Sequence, residues 1–431
     1  MRNRIGSLLP RSLEGGADTA GFLGLAGSIS MALVSVAAAQ ILLAVALAAA
    51  CGLAPSRAAS LARLKWVLLP LALYCAWTVL AALAAPDVAL ALASLKKFYL
   101  LLIIPLTPLL APGQNRLAWI SRAIIAVALL SAVVGLVQYG THAGGNDLLD
   151  RITGFMGHWM TYSGLLMLAL VLLAAYGLHT GWKWLSLWIP AAAVLALAIV
   201  LSQTRNAVLG AAAGTVVVLL LGMALERKRR YGMFLAILVL GAASAWLLAP
   251  APMQQRFRSG LDPGDPNTRN RIELYGTSMR IIRDNPWFGV GPRNVKLEAL
   301  KYRNANEFPD WLYQHMHNNV LQVAAETGLP GLTFWLWFML GLAWNSLGTY
   351  RHALSGSFPH GDQGRREAVS VASAAAGSWA ALMLAGMFEY NFGDSEVLML
   401  FLFIASAPFA YAPGAVRSRA GGDGAAPAAG Q

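Results

Sequence analysis

The feature that most constrains this sequence is a series of apolar runs, each about 20 residues long, that recurs along the whole chain. A run of that length lets a helix cross the hydrocarbon core of a bilayer. Only 12% of the residues are charged, against about 25% in soluble domains, so polar side chains are too few to cover a globular surface. The strands of a membrane barrel would alternate apolar and polar residues, which these runs do not. The sequence therefore predicts an all-α integral membrane protein.

The apolar runs predict about twelve transmembrane helices. The spans lie near 20–35, 37–53, 64–84, 96–112, 117–140, 160–178, 183–201, 206–225, 231–249, 318–346, 367–388 and 395–412. The first two could form one helix, but its length would exceed what a bilayer needs. The predicted order is a cytoplasmic tail (1–19), nine helices (20–249), one large outer loop (250–317), three helices (318–412) and a disordered Gly/Ala-rich cytoplasmic tail (413–431).

Lysine and arginine in the short connections predict the orientation, because cytoplasmic loops carry an excess of them. With a cytoplasmic N-terminus, the inside segments hold Arg57, Arg63, Lys65, Arg116, Lys183, the basic run 227–230, Arg351, Arg365, Arg366, Arg417 and Arg419. The short outer segments hold only Lys96, Lys97, Arg151 and Arg205. Arg2, Arg4 and Arg11 precede the first run without a cleavage site, which predicts a retained tail.

The large loop at 250–317 is basic, with ten Lys/Arg against seven acids. Attraction to lipid headgroups is the ordinary use of such residues. Asn267 or Thr268 is predicted to cap a helix that runs to about Asn285. Its apolar stripe is predicted to rest on the membrane domain or interface, and consists of Ile272, Tyr275, Met279 and Ile282.

Polar residues gather where the chain enters the membrane from the outer side. Arg205 follows a span directly, the His-x-His pair His315 and His317 ends the large loop, and two further polar segments lie at 151–164 and 388–396. A neutral imidazole is suited to accept a proton from a hydroxyl. No third metal ligand stands at a familiar spacing from the pair, and Cys51 and Cys75 lie in apolar runs, so we predict no metal site and no disulfide.

Several motifs together resemble the O-antigen ligase and polymerase superfamily of bacterial envelope glycosyltransferases. The set comprises Gly154, Gly157, Thr161 and Gly164; Thr204 and Arg205; Arg271, Tyr275 and the run 284–291; and His315, His317, Asn318, Glu326, Gly328 and Gly331. In this order, with about twelve spans and one large loop before the histidines, they are most similar to O-antigen ligases. The similarity extends over roughly 20–412.

The resemblance implies transfer of a glycan from undecaprenyl diphosphate to a sugar hydroxyl of lipid A-core, in lipopolysaccharide biosynthesis. The site would face the periplasm from the bacterial inner membrane. Arg205 and Arg271 would hold the diphosphate, and His317 or His315 would be the general base of an inverting transfer. Further substrate contacts are expected from Arg269, Arg151, His158, Tyr275, Asn318 and Glu326. Two arginines supply the positive charge, so no metal or other cofactor is expected, and no nucleic-acid partner.

The sequence leaves three alternatives to a ligase function. An O-antigen polymerase or a protein O-oligosaccharyltransferase would carry similar residues but use a different acceptor. No extra C-terminal soluble domain is apparent, which favours the ligase. A secondary transporter would show ionisable residues at the membrane centre and an internal repeat, and the sequence has neither.

Overall fold

The fold is all-helical in the part of the chain that the computed structural model describes. That part comprises residues 13–54, 57, 61–141, 151–179, 185–223, 254–255, 258–259, 262, 264–304, 308–355 and 361–411. The predicted all-α class is confirmed there. Seven of the described helices are long and apolar enough to cross a membrane. The full number of twelve spans and the side of the membrane on which the large loop lies stay predictions.

The structure describes fourteen α-helices. They are α1 Leu13–Met31, α2 Val36–Leu53, α3 Lys65–Leu83, α4 Val88–Ser94, α5 Ile103–Leu110, α6 Gln114–Thr141, α7 Trp159–His179, α8 Leu185–Leu201, α9 Arg205–Met223, α10 Pro266–Asp284, α11 Val295–Tyr302, α12 Asn319–Ser355, α13 Gly361–Ala385 and α14 Ser395–Ala410. Short 3₁₀ segments occupy Leu95–Leu102, Asp310–Gln314 and Asn391–Gly393.

A helix occupies every predicted span except 231–249, which lies outside the described residues. The basic run 227–230, Lys183, the N-terminal arginines and the C-terminal tail lie outside them as well. α1 and α2 are two separate helices, as predicted, and the hydroxyl of Ser35 accepts from the Ala38 N–H to cap the second. α7, α13 and α14 form the centre of the molecule, whereas outer helices expose apolar side chains such as Ile41 and Trp66, as contact with lipid requires.

α1 begins at Leu13, earlier than the predicted span at residue 20, because its first turns carry a buried ion cluster. The carboxylate of Asp18 pairs with Arg57 and with Arg116. Arg57 and Arg116 also donate to the carbonyls of Leu109 and Leu110, at 2.5 and 2.8 Å. Two basic residues that were predicted to share the inner side therefore meet at one end of the bundle.

The large loop is partly helical and has a small apolar core of its own. The predicted cap of α10, Asn267 or Thr268, was wrong. The cap is Asp265, whose carboxylate accepts from the N–H groups of Asn267 and Thr268. Pro266 takes the first helical position, where its missing N–H costs nothing.

Part of the predicted apolar stripe of α10 lies outside the core of the loop, and its contact with the membrane domain or interface stays a prediction. Ile272 and Met279 are each 59% exposed, whereas Leu274 and Ile281 are fully buried in the core of the loop. The inward side of α10 also carries Glu273, whose buried carboxylate accepts five hydrogen bonds, from the side chains of Thr277, Arg280 and Tyr313 and from the backbone and side chain of Asn304. A carboxylate whose oxygens accept hydrogen bonds from the protein can be buried, so this side of the helix packs inward.

A backbone clasp joins the end of the loop helix to α12. The N–H groups of Val290, Gly291 and Leu329 donate to the carbonyls of Ala325, Glu326 and Pro286, at 2.8, 3.0 and 2.8 Å. At Gly328 the helix is interrupted by a φ of 71° and a ψ of −177°, a conformation that is essentially restricted to glycine. The residues 286–291 and 325–329, which form this clasp, account for two of the motifs noted in the sequence.

Replacing Gly328 with alanine is expected to destabilise the protein by about 1–3 kcal/mol through backbone strain alone. A Cβ atom there would lie 2.1 Å from the carbonyl oxygen of Trp287, so the clasp would also have to open. Thermal unfolding in detergent measures the loss. Gly348→Ala on the same helix is the matched control, because nothing lies within 4 Å of its Cβ position. Equal melting temperatures for the two variants would contradict the role of the clasp.

Candidate active site

The polar segments predicted to share one face converge on the turn between α13 and α14, so the predicted convergence is confirmed. The carbonyl of Met387 accepts from the hydroxyl of Tyr275 at 2.5 Å and from the side-chain amide of Asn318 at 3.0 Å. The hydroxyl of Thr161 donates to Asp394 at 2.5 Å. The loop helix, the His motif and the 151–164 segment are thereby fixed to the same turn.

The same turn supplies a carboxylate to the histidine pair. Nδ1 of His317 lies 3.0 Å from one oxygen of Glu389, and Nδ1 of His315 lies 3.8 Å from the other. The two imidazole rings are 4.1 Å apart, centre to centre. Glu389 is almost fully buried; burial raises its pKa, but the hydrogen bond and charge of His317 and the charge of His315 lower the pKa of Glu389 to below its usual range. Glu389 is therefore an anion placed against the histidines.

The hydrogen bonds give the two imidazoles different tautomers. Because an ionised carboxylate only accepts, Nδ1 of His317 must carry the proton, and Nε2 is left with a free lone pair. Nδ1 of His315 accepts from the backbone N–H of His317 at 3.4 Å, so the proton of His315 lies on Nε2. His317 is thus arranged to accept a proton and His315 to donate a hydrogen bond.

Burial lowers the pKa of His315 to about 4, and the neighbouring charge of His317 adds to that effect. A free histidine titrates near pH 6.5, so below that pH the unfolded chain binds a proton at His315 that the folded protein does not. The stability of the folded state is therefore expected to fall as the pH drops from 6.5 towards 4, by on the order of 1 kcal/mol at pH 5 for a partly exposed side chain.

Thermal unfolding at pH 7 and pH 5 measures this effect. His315→Gln is expected to lose less stability over that interval than the wild type, since glutamine does not titrate. Glu389 does not affect this comparison. Its pKa is lowered in the folded protein, so the stability that its carboxylate contributes is lost only below pH 5. An equal pH response of both proteins would contradict the depressed pKa.

The two predicted phosphate-binding arginines lie near each other on one flank of the histidines. Arg271 donates from Nη2 to the carbonyl of Phe388 at 3.4 Å, and its guanidinium lies over the Phe388 ring at 5.6 Å. Arg205 is the first residue of α9, and its charge and that of Arg271 repel each other. Two like charges held this close suit a ligand that carries more than one negative charge.

Arg151 and His158 belong to the 151–164 segment, which contacts the same turn. The guanidinium of Arg151 lies 4.8 Å from the centre of the Trp159 ring, and its buried Nε has no hydrogen-bond partner among the described residues. His158 stacks on the same indole at 4.5 Å and lies close enough to affect the charge of His315. Arg269, two residues before Arg271, is exposed on α10.

The carboxylate of Glu326 connects the His motif to the clasp. One of its oxygens accepts from the Arg293 N–H at 2.8 Å and from Gln322 at 2.9 Å, and Gln322 in turn accepts from the N–H of Met316. Asn318 caps the start of α12, since its side chain accepts from the Leu321 N–H. Both residues were expected to contact substrate; that expectation stays a prediction, and their protein contacts show that they position the site.

Strained backbone marks the same region. Among the described residues, the non-glycine residues with positive φ are Gln203 (55°), Arg293 (61°) and His317 (46°). Each lies in or beside a segment that carries a candidate site residue. Such strain persists only where the surrounding structure enforces it, and it concentrates at functional sites.

His315, His317 and Glu389 also form a possible metal-binding group. One ligand atom from each lies within 4.8 Å of the others. The sequence search for a third ligand near the histidines missed Glu389, because it lies 72 residues after His317. The sequence does contain a signal for Glu389, because it is one of the carboxylates in the polar run 388–396 that is predicted to enter the membrane from the outer side.

Residues 190–336 match the family model described as O-Antigen ligase. Over this segment the chain is similar to O-antigen ligases. The matched segment includes Arg205, Arg271 and both histidines, and it ends before Glu389. The resemblance predicted from the motifs is therefore confirmed for this segment, and the family implies a glycosyltransferase-like enzyme of the O-antigen ligase and polymerase class. No curated protein matches the chain.

Proposed function

We propose that this chain is an O-antigen ligase that transfers a glycan from undecaprenyl diphosphate to a sugar hydroxyl of lipid A-core, at the periplasmic face of the inner membrane. The observation that carries the proposal is the His317–Glu389 pair, 3.0 Å apart, beside the cations Arg205 and Arg271. A base and cations that can bind a diphosphate in the same region are what glycosyl transfer from a lipid diphosphate requires.

In the proposed reaction, Nε2 of His317 accepts the proton of the acceptor hydroxyl as its oxygen attacks the anomeric carbon. The bond from that carbon to the diphosphate oxygen breaks, and the electron pair leaves with the diphosphate. Glu389 stabilises the imidazolium that forms, as a carboxylate does when it holds Nδ1–H. Arg205 and Arg271 stabilise the charge that develops on the leaving group. Attack opposite the leaving group inverts the anomeric configuration.

The remaining site residues have positioning or binding roles in this proposal. Tyr275 and Asn318 hold the turn that presents Glu389. Arg151, with its unsatisfied Nε, and His158 are proposed to contact the donor glycan. Arg269 is an exposed cation at the edge of the diphosphate site. Glu326 supports the backbone between the histidines and the loop.

The deciding experiment mixes the purified protein with undecaprenyl-diphosphate-linked glycan and lipid A-core, with and without a chelator. Transfer to lipid A-core is expected, and the chelator is expected to leave the rate unchanged, because the arginines provide the positive charge. Loss of activity on chelation would assign the His315–His317–Glu389 group to a metal instead. Elongation of the lipid-linked glycan, or transfer to protein, would replace the ligase by one of the alternative activities.

A further inference from the structure

A second group of cations lies on another side of the histidines. A cavity of about 550 Å³ is lined by His315 and by the basic residues Lys96, Lys97, Arg293 and Lys296. Neither Arg205 nor Arg271 lines it. The cavity therefore reaches the histidine pair without sharing the positive charges that are assigned to the diphosphate.

The protein balances the charge of this cavity only in part, because Glu326 attracts Lys97 and Arg293, and Glu396 attracts Lys97. Lys97 donates to the carbonyl of Gly393 at 2.7 Å, and the described residues form no ion pair with any of the four cations. Glu326 also lines the cavity, but its carboxylate accepts hydrogen bonds from Gln322 and from a backbone N–H. Four cations line the cavity with the single carboxylate of Glu326, so the wall keeps a net positive charge.

The position of Arg293 is built into the fold. Its φ of 61° is unfavourable for a residue with a side chain, and the hydrogen bond from its N–H to Glu326 helps to hold it there. Glu326 is tied through Gln322 to the backbone between the two histidines. The same chain of hydrogen bonds thus places both the His motif and a cation of the cavity wall.

We propose that this cavity binds the acceptor through negatively charged groups, phosphate or carboxylate, on sugars next to the one that receives the glycan. The proposal rests on the proposed function. His315 and His317 then lie between two anion-binding regions, with the donor diphosphate at Arg205 and Arg271 and the acceptor at Lys96, Arg293 and Lys296. The acceptor hydroxyl would reach Nε2 of His317 from the side of His315.

The test compares Lys96→Gln, Lys296→Gln and the double variant with the wild type, in assays that vary one substrate at a time. The KM for lipid A-core is expected to rise about tenfold per substitution, as the loss of one charge-assisted contact predicts, while the KM for the lipid-linked donor stays within about twofold. Arg283→Gln is the matched control, because Arg283 is an exposed cation of the same loop that does not line the cavity.

Acceptors with and without their phosphate groups separate the sources of the negative charge. If phosphate is recognised, removing it raises the wild-type KM and abolishes the difference between wild type and variants. If carboxylate is recognised, the difference persists with the dephosphorylated acceptor and is lost when the carboxylates are converted to amides.

Two outcomes overturn the proposal: an unchanged acceptor KM in the double variant, or an equal rise in the KM of donor and acceptor. Equal weakening of both substrates would indicate general attraction to lipid headgroups. Binding of anionic phospholipid vesicles, compared between wild type and double variant, measures that attraction directly. A wild type that transfers no glycan to lipid A-core would instead refute the proposed function, so the two failures are distinguishable.

Discussion

Replacing His317 with alanine is expected to lower kcat by about 10²–10⁴-fold while the protein still inserts and folds. The imidazole is the group whose free nitrogen can accept the acceptor proton, because Glu389 occupies the other nitrogen at 3.0 Å. The measurement is the initial rate of glycan transfer to lipid A-core at saturating concentrations of both substrates. A rate within tenfold of the wild type would contradict the assignment of His317 as the base.

Two neighbouring variants control this result. His315→Gln is expected to lose about tenfold or less, because the Nδ1 of His315 already accepts a hydrogen bond and its Nε2 can only donate. Glu389→Gln keeps the shape of the carboxylate without its charge. Its kcat is expected to fall, and half-maximal activity is expected to move to lower pH, since an amide no longer stabilises the protonated imidazole. A purely structural role of Glu389 would leave the pH profile in place.

Replacing Arg271 with alanine is expected to lower kcat by about 10²–10³-fold, the usual effect of removing one donor that stabilises a leaving anion. The guanidinium is already oriented by the carbonyl and the ring of Phe388. Arg271→Lys is expected to recover only part of the loss, because an ammonium group keeps the charge but cannot form two parallel hydrogen bonds. Single-turnover rates with the lipid-linked donor separate this effect from slow product release.

Arg283→Ala is the control for Arg271, as another arginine of α10 that lies exposed and paired with Asp284. Its rate is expected to match the wild type. If Arg271→Ala changed only the KM for the donor and left kcat intact, Arg271 would bind the diphosphate without stabilising its departure. That outcome would contradict the role given to it in the transition state.

Much of the architecture follows from the sequence because lipid imposes simple rules. A chain of apolar runs must form helices, and helices were found at each predicted span that the structure describes. The convergence of the polar entries was also predictable, since charged groups at the membrane edge are costly unless they serve a shared purpose. Arg205 and His317 could be named in advance because each is an ionisable residue at the edge of an apolar span, whereas Arg271 was distinguished from the other basic residues of the loop only by the family resemblance.

What the sequence did not predict are contacts between residues far apart along the chain. The periodicity of α10 shows an apolar stripe, but it does not show that Glu273 is buried and accepts hydrogen bonds from Asn304 and Tyr313. Spacing rules likewise missed Glu389 as the partner of His317. Both contacts depend on how separate segments pack, which local patterns do not encode.

The wide separation of the site residues also bears on how the protein is made. Arg205, Arg271, His317 and Glu389 come from four segments that leave the ribosome in that order, and Glu389 follows only after α13 has been synthesised. The turn that carries Glu389 is also what fixes Tyr275 and Asn318. Until the last pair of helices is in place, His317 has no counter-ion and the loop helix lacks its contact with the turn, so a chain still being inserted is expected to be inert towards the lipid-linked sugars around it.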